Sequence, residues 1–221
     1  MMNLGTLRTW LGAISLGAAA VSSQAAVLTL DAWTYGTGQA VNVSTPNYNG
    51  AGGAFSGTLS GAGAHDGTSF VTYCVQLTEY FQFHATYSDY AVQDGAAYFG
   101  SADIADRLGR LITVVGGITP AGFTSAMSGS LQLAIWNTIY DTDTSVDTGA
   151  FRNLAHTGIN AQADAWLAQA ATTTSDYAVS VLARAGTQDF LVVQRIPEPA
   201  TLALVALALA GAGAASRRRR A

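Results

Sequence analysis

Two side chains of this 221-residue chain are able to react with each other. Cys74 carries the only thiol, and Gln132 carries a carboxamide. A cysteine sulfur is a strong nucleophile. If it attacks the Gln132 carbonyl carbon, ammonia leaves and a thioester joins the two residues. The single cysteine also excludes an internal disulfide and any CxxC metal or redox motif.

The segment around Cys74 has the composition of a β-strand. Residues 70–83 form the longest such run in the chain. Because side chains alternate across a strand, Tyr73 and Val75 share one face, and Cys74 lies on the other. We therefore expect the thiol to lie outside the main apolar row, in a place where a free cysteine is open to oxidation.

Gln132 belongs to a predicted helix over residues 124–140. With a turn of about 100° per residue, Gln132 stands at the centre of an apolar arc that includes Ile135, Trp136 and Ile139. An unpaired amide buried there costs about 1–3 kcal/mol. A thioester with Cys74 would remove the thiol and the amide together and would join a strand to a helix.

The residues around the pair resemble the two signatures of the Cys-Gln thioester domain, known from Gram-positive surface adhesins and from PEP-CTERM proteins. They are Tyr73-Cys74-Val75 and the run Leu-Gln-Leu-Ala-Ile-Trp at 131–136. The resemblance implies a β-sandwich or barrel-like sheet with a helical insert. It also implies a Cys74–Gln132 cross-link that captures a partner's amine or hydroxyl. Gln76 departs from the acidic residue of many members, and the stalk and sortase motif are absent.

Residues 1–25 are predicted to be a secretory signal peptide. Arg8 precedes an apolar stretch at 10–21 that is too short to span a membrane, and Ser23-Gln24-Ala25 offers small residues for cleavage before Ala26. This signal predicts export of the body of the chain.

Residues 197–221 resemble the PEP-CTERM sorting signal of Gram-negative bacteria. An apolar segment at 200–215 lies between a Pro-Glu-Pro motif and a basic cluster. The motif is Pro197, Glu198 and Pro199, and the cluster is Arg217, Arg218, Arg219 and Arg220. As a helix the apolar segment is about 24 Å long, and the arginines favour the cytoplasm. The resemblance implies a transient inner-membrane anchor that an exosortase processes; a plain tail anchor is the alternative.

Residues 26–196 form one predicted domain of α+β class. Their thirteen acidic residues and five arginines give a net charge of −8, which disfavours nucleic acid as a partner because phosphate binding needs clustered cations. Strands are predicted early, helices follow in the middle, and a hairpin ends the domain. The strands are 27–35 and 54–59, the helices are 101–115, 124–140 and 160–171, and the hairpin is 177–183 with 190–196.

Other constellations predict weaker alternatives. A cysteine hydrolase needs a histidine base beside Cys74, and three histidines are available, at 65, 84 and 156. Asp141, Asp143 and Asp147 resemble part of a calcium loop, but the EF-hand glycine and final glutamate are missing, which favours a solvated acidic turn. The tyrosines that would form a sugar-binding platform, and that core packing explains better, are Tyr73, Tyr80, Tyr87 and Tyr90.

The leading hypothesis is a surface or matrix protein, exported from a Gram-negative bacterium, that captures a protein or polysaccharide nucleophile covalently. Its rival is a structural protein of an exopolysaccharide biofilm in which the thioester is only a stabilising cross-link. A cysteine-dependent enzyme is the third class. We expect no enzymatic turnover, no cofactor and no metal.

Overall fold

The computed structural model describes residues 25–155 and 158–197. The strands are β1 (Ala26–Trp33), β2 (Gln39–Val43), β3 (Tyr48–Gly52), β4 (Phe55–Ser60), β5 (Gly67–Thr72), β6 (Thr86–Asp94), β7 (Tyr177–Ala183) and β8 (Phe190–Arg195). The helices are α1 (Gly95–Phe99), α2 (Ala102–Val115), α3 (Ser125–Tyr140) and α4 (Asn160–Ala170). The predicted signal peptide, almost all of which precedes residue 25, and the apolar segment at 200–215 lie outside the described residues.

Six antiparallel strands form one sheet in the order β5-β4-β1-β6-β7-β8. Its two end strands approach each other at an isolated antiparallel bridge between Cys74 and Phe190, so the sheet is nearly closed into a barrel. This confirms the predicted α+β class with a barrel-like sheet. No helix within 25–155 and 158–197 is long and apolar enough to cross a membrane.

The predicted strand over residues 70–83 is wrong in its length. β5 ends at Thr72, which pairs with Phe55, the first residue of β4. Before Phe55 the chain turns away, and the Ala54 N–H donates to Ser128 Oγ of α3 at 2.7 Å. Beyond Thr72, β5 therefore has no partner on β4, and the chain bridges to β8 instead.

Helices α2 and α3 begin close to the predicted residues because their N-capping residues are present in the sequence. Helix α4 also lies close to its predicted range, although no side chain caps it. Ser101 Oγ accepts a hydrogen bond from the Ile104 N–H at 3.3 Å, and Thr124 Oγ1 accepts one from the Met127 N–H at 3.2 Å. Such N-caps satisfy backbone donors that the first turn leaves free. Gly116 ends α2 with a positive φ of 83°, which glycine adopts without a steric penalty.

Helix α3 forms the centre of the helical layer. Every residue from Ser128 to Thr138 is buried, because α2, α4 and the β2–β3 hairpin all pack against it. This hairpin is a separate two-stranded sheet. β6 was not predicted from the sequence, since it shows no clean alternation of buried and exposed residues. α1 was not predicted either.

Candidate functional site

Cys74 and Gln132 are in direct contact through two hydrogen bonds. The Cys74 N–H donates to Gln132 Oε1 at 3.0 Å. In return, Gln132 Nε2 donates to the Cys74 carbonyl oxygen at 2.8 Å. The carboxamide thus pairs with the backbone of the one residue that carries a thiol.

The bridge to β8 explains why the Cys74 backbone is available to a side chain. The Leu191 N–H donates to the Tyr73 carbonyl at 2.9 Å, and the Val75 N–H donates to the Asp189 carbonyl at 3.1 Å. These bonds join the residues on either side of Cys74 to β8. In an antiparallel pair the intervening residue directs its own N–H and C=O to the opposite side. Among the described residues no strand pairs with Cys74 on that side, and the Gln132 carboxamide bonds to its N–H and C=O instead.

The site is dry. Gln132 is fully buried and Cys74 is 7% exposed, so the expectation that Cys74 lies outside the apolar core is wrong. Tyr73 and Val75 are also buried, so the segment around Cys74 is covered on both of its faces. Burial raises the pKa of the Cys74 thiol, since a low-dielectric environment disfavours the thiolate.

The buried position predicted for Gln132 is confirmed, but its amide is not unpaired. Both of its functions are satisfied by Cys74. The cost of burying an unpaired amide therefore does not by itself require a reaction. This backbone pairing was not predicted from the sequence, because it depends on where β4 begins, at Phe55, and no residue near Cys74 carries that information.

One strand of the small hairpin covers the Gln132 side chain. A Cβ atom on Gly52 would lie 3.0 Å from Gln132 Cγ and 3.3 Å from Trp136 Cζ3. A side chain at residue 52 would therefore require the glutamine, the tryptophan or the hairpin to shift by a few tenths of an ångström. The rings of Tyr48 and Trp136 meet edge to face, with their centroids 5.6 Å apart.

The described histidines do not pair with Cys74. His84 Nδ1 lies 3.6 Å from Asp31 Oδ1, and the His84 side chain is 76% exposed. His65 ends a short 3₁₀ turn at Gly63–His65, and His156 lies outside the described residues. Among the residues that the structure describes, no hydrogen bond joins a histidine to Cys74, so the geometry gives no support to a cysteine hydrolase.

The acidic loop after α3 uses its carboxylates to hold its own backbone. Asp141 Oδ2 accepts from the N–H groups of Ala150 and Phe151 at 2.6 and 2.9 Å. Asp143 Oδ1 accepts from Asn137 Nδ2 at 3.0 Å. Burial raises the pKa of Asp141, but the backbone donors outweigh it and leave that pKa below its ordinary value. In the described part of the chain, no group of three or more His, Cys, Asp or Glu residues is arranged to hold a metal ion.

The four tyrosines do not form a shared platform. Tyr73 and Tyr90 are fully buried, whereas Tyr80 is 71% exposed. The core interpretation therefore applies to the first two.

A protein-family model described as the PEP-CTERM protein-sorting motif matches residues 195–220. No curated protein and no solved structure matches the chain. The sorting signal predicted from the sequence is thus found. It marks an exported protein of Gram-negative bacteria that passes a membrane-associated sorting step and is processed by an exosortase. The match begins at Arg195, the last residue of β8.

Proposed function

We propose that this exported protein forms an internal thioester between Cys74 and Gln132 and uses it to capture a nucleophile on a surface or matrix partner. The observation that supports the proposal is the paired hydrogen bonding of the Gln132 carboxamide with Cys74, 3.0 and 2.8 Å in length, at a buried site. It brings an electrophilic carbon to the backbone of the residue that carries the only thiol of the chain.

Bond formation needs no outside reagent. The Cys74 sulfur attacks Cδ of Gln132, the Sγ–Cδ bond forms, the Cδ–Nε2 bond breaks, and ammonia leaves with the thiol proton. The Cys74 N–H already donates to Oε1, the atom on which negative charge develops, and such a preorganised donor stabilises the transition state. The Cys74 carbonyl orients the leaving nitrogen.

In the capture step, a nucleophile of the partner displaces the Cys74 sulfur from Cδ of Gln132. A partner's amine attacks Cδ, an amide forms, and the Cys74 thiol is released with the proton. A hydroxyl would give an ester instead. Each chain carries out this step once, so it is not enzymatic turnover.

The composition favours a foreign nucleophile. The chain contains no lysine, and arginine stays protonated and is a poor nucleophile. Copies of the protein therefore have no side-chain amine with which to consume one another's thioester. The partner is a protein or a polysaccharide that carries an amine or hydroxyl.

The second candidate is a matrix protein in which the thioester only stabilises the fold. Complete burial of Gln132 favours it, because a nucleophile must reach a covered carbon. The two functions differ in whether a small amine opens the bond.

Thiol titration before and after methylamine tests the proposal. We expect no titratable thiol in the denatured, untreated protein, and one thiol per chain after treatment of the native protein with methylamine. If no thiol is titrated either before or after methylamine treatment, the amine does not open the thioester, and the bond only stabilises the fold. A full thiol in the untreated, denatured protein contradicts both functions.

A further inference from the structure

We propose that β3 controls access to the Cys74–Gln132 site, and that Tyr48 determines the size of the molecule that reaches it. As a statement about capture, this inference rests on the proposed function. As a statement about access to Cys74, it can be tested without the thioester.

The small opening of the site lies on the Cys74 side. Gln132 has no exposed surface, and Cys74 retains 7%. The Gln132 stem is covered by the backbone of Gly52, as the 3.0 Å approach to Cγ indicates. A reagent therefore approaches from the Cys74 side or displaces β3.

Tyr48, at the start of β3, packs on the helix that carries Gln132, because its ring contacts Trp136, one turn further along α3. Burial raises the pKa of Tyr48, and the charge of Cys74 raises it further, as does the exposed Tyr80 to a smaller extent. The direction of this pKa shift agrees with a position of Tyr48 near the buried thiol. Its side chain is half-buried, and its ring packs against Trp136.

Two contacts fix the Tyr48 ring. Its hydroxyl donates to the Ala51 carbonyl of the same strand at 3.0 Å, and its ring packs on Trp136. A Cβ atom on Gly50 would lie 2.6 Å from the hydroxyl oxygen, so a glycine at 50 allows the ring to lie along the strand. A substitution at position 48 can remove both the hydrogen bond and the aromatic contact.

The two strands of the hairpin are attached to the protein differently. β2 is joined to the rest of the chain: the Leu154 N–H donates to the Asn42 carbonyl at 2.6 Å, and the Asn42 N–H donates to Asn153 Oδ1 at 2.9 Å. In the part of the chain that the structure describes, β3 pairs with no strand other than β2. Apart from its pairing with β2, β3 is therefore held on α3 by the ring contact of Tyr48 with Trp136, the close packing of Gly52, and the Ala54–Ser128 hydrogen bond just beyond its end.

The test compares two maleimides of different size on the exported protein carrying Gln132→Ala, in which Cys74 is a free thiol. N-methylmaleimide is the small reagent and fluorescein maleimide the large one. Adding Tyr48→Ala should raise the rate of the large reagent about tenfold relative to the small one, which corresponds to the upper range of an aromatic contact. Tyr48→Phe, which removes only the hydroxyl, is the matched control and should give a smaller change.

An unchanged ratio of the two rates in Tyr48→Ala would overturn the inference. An equal increase for both reagents would also overturn it, because it indicates general loosening. If Tyr48→Ala unfolds at the assay temperature, Tyr48→Leu is used in its place, because it keeps an apolar side chain on Trp136.

A parallel measurement keeps the two proposals separate. In chains that retain Gln132, we compare consumption of methylamine and of dansylcadaverine, with and without Tyr48→Ala. Selective acceleration of the larger amine supports the inference. If the wild type takes up neither amine, the proposed function fails, while the maleimide rates still decide whether Tyr48 controls access.

Discussion

Helix α3 presents polar groups to backbone at two places, in its middle and at its C-terminal end. In the middle, the Gln132 carboxamide pairs with the N–H and C=O of Cys74. After its end, the Asp141 carboxylate accepts from the N–H groups of Ala150 and Phe151. In both places a side chain satisfies backbone groups that no strand or helix satisfies.

The two places differ in the chemical groups that meet there. Asp141 accepts from backbone donors, and a carboxylate is a poor electrophile, so this contact holds a loop and does nothing more. Gln132 presents an acyl carbon to the residue that carries the thiol. Similar hydrogen bonds therefore support a structural role for Asp141 and a chemical role for Gln132. The difference is that only Gln132 is paired with a residue that carries a nucleophile, the Cys74 thiol.

The largest expected effects come from breaking the contact between Cys74 and Gln132. If a thioester joins residues 58 positions apart, its loss in Cys74→Ala lowers the free energy of unfolding by about 4 kcal/mol, on the chain-entropy model for a covalent cross-link. If the contact is only hydrogen-bonded, the backbone at position 74 still pairs with Gln132 in the variant, and the loss is about 1 kcal/mol. Urea unfolding of the exported protein measures the difference.

Gln132→Ala provides the matching control for that measurement. It removes the proposed thioester and also leaves the Cys74 N–H and C=O without a partner. Each unsatisfied group lowers the free energy of unfolding by about a further 1–3 kcal/mol. We therefore expect Gln132→Ala to be less stable than Cys74→Ala. Equal stability of the two variants would mean that water or a rearranged backbone replaces the Gln132 hydrogen bonds.

A smaller effect is expected at the cover of the site. In Gly52→Ala, the new methyl group lies 3.0 Å from Gln132 Cγ, so the hairpin or the glutamine must shift. The same change in a Gln132→Ala background meets no Cγ atom. A double-mutant cycle should give a coupling energy of about 1 kcal/mol or more between the two positions. Additive effects would show that Gly52 does not contact the glutamine.

The smallest effect is expected in the acidic loop. Because the folded-state pKa of Asp141 is below its ordinary value, its contribution to stability is present at neutral pH and is lost as the pH falls through that lowered pKa. Asp141→Asn should therefore cost about 1 kcal/mol at pH 7, and the difference from wild type should shrink in acid. Thermal unfolding as a function of pH measures it, with Asp176→Asn at an exposed position as the control. A difference that is constant with pH would contradict the assigned cause.

The sequence predicted the helices well because their signals are local. Ser101 and Thr124 cap α2 and α3 as their types suggest, and the apolar arc correctly buries Gln132. The strand over 70–83 failed because its end depends on where β4 begins, and no residue near Cys74 carries that information. The backbone pairing at the site was not predicted for the same reason, since it also depends on where β4 begins. The choice of Cys74 and Gln132 came from chemistry and resemblance, and the paired hydrogen bonds could be found only in the fold.

The mass of the exported protein tests the central claim most directly. After its termini have been mapped, the intact mass under denaturing, non-reducing conditions is compared with the calculated mass, and the peptides that contain Cys74 and Gln132 are identified. The thioester predicts a mass lower by one ammonia, located in a linked Cys74–Gln132 peptide pair, and the addition of one methylamine at Gln132 after treatment of the native protein. An intact mass equal to the calculated one, with separate unmodified peptides, would contradict the proposal.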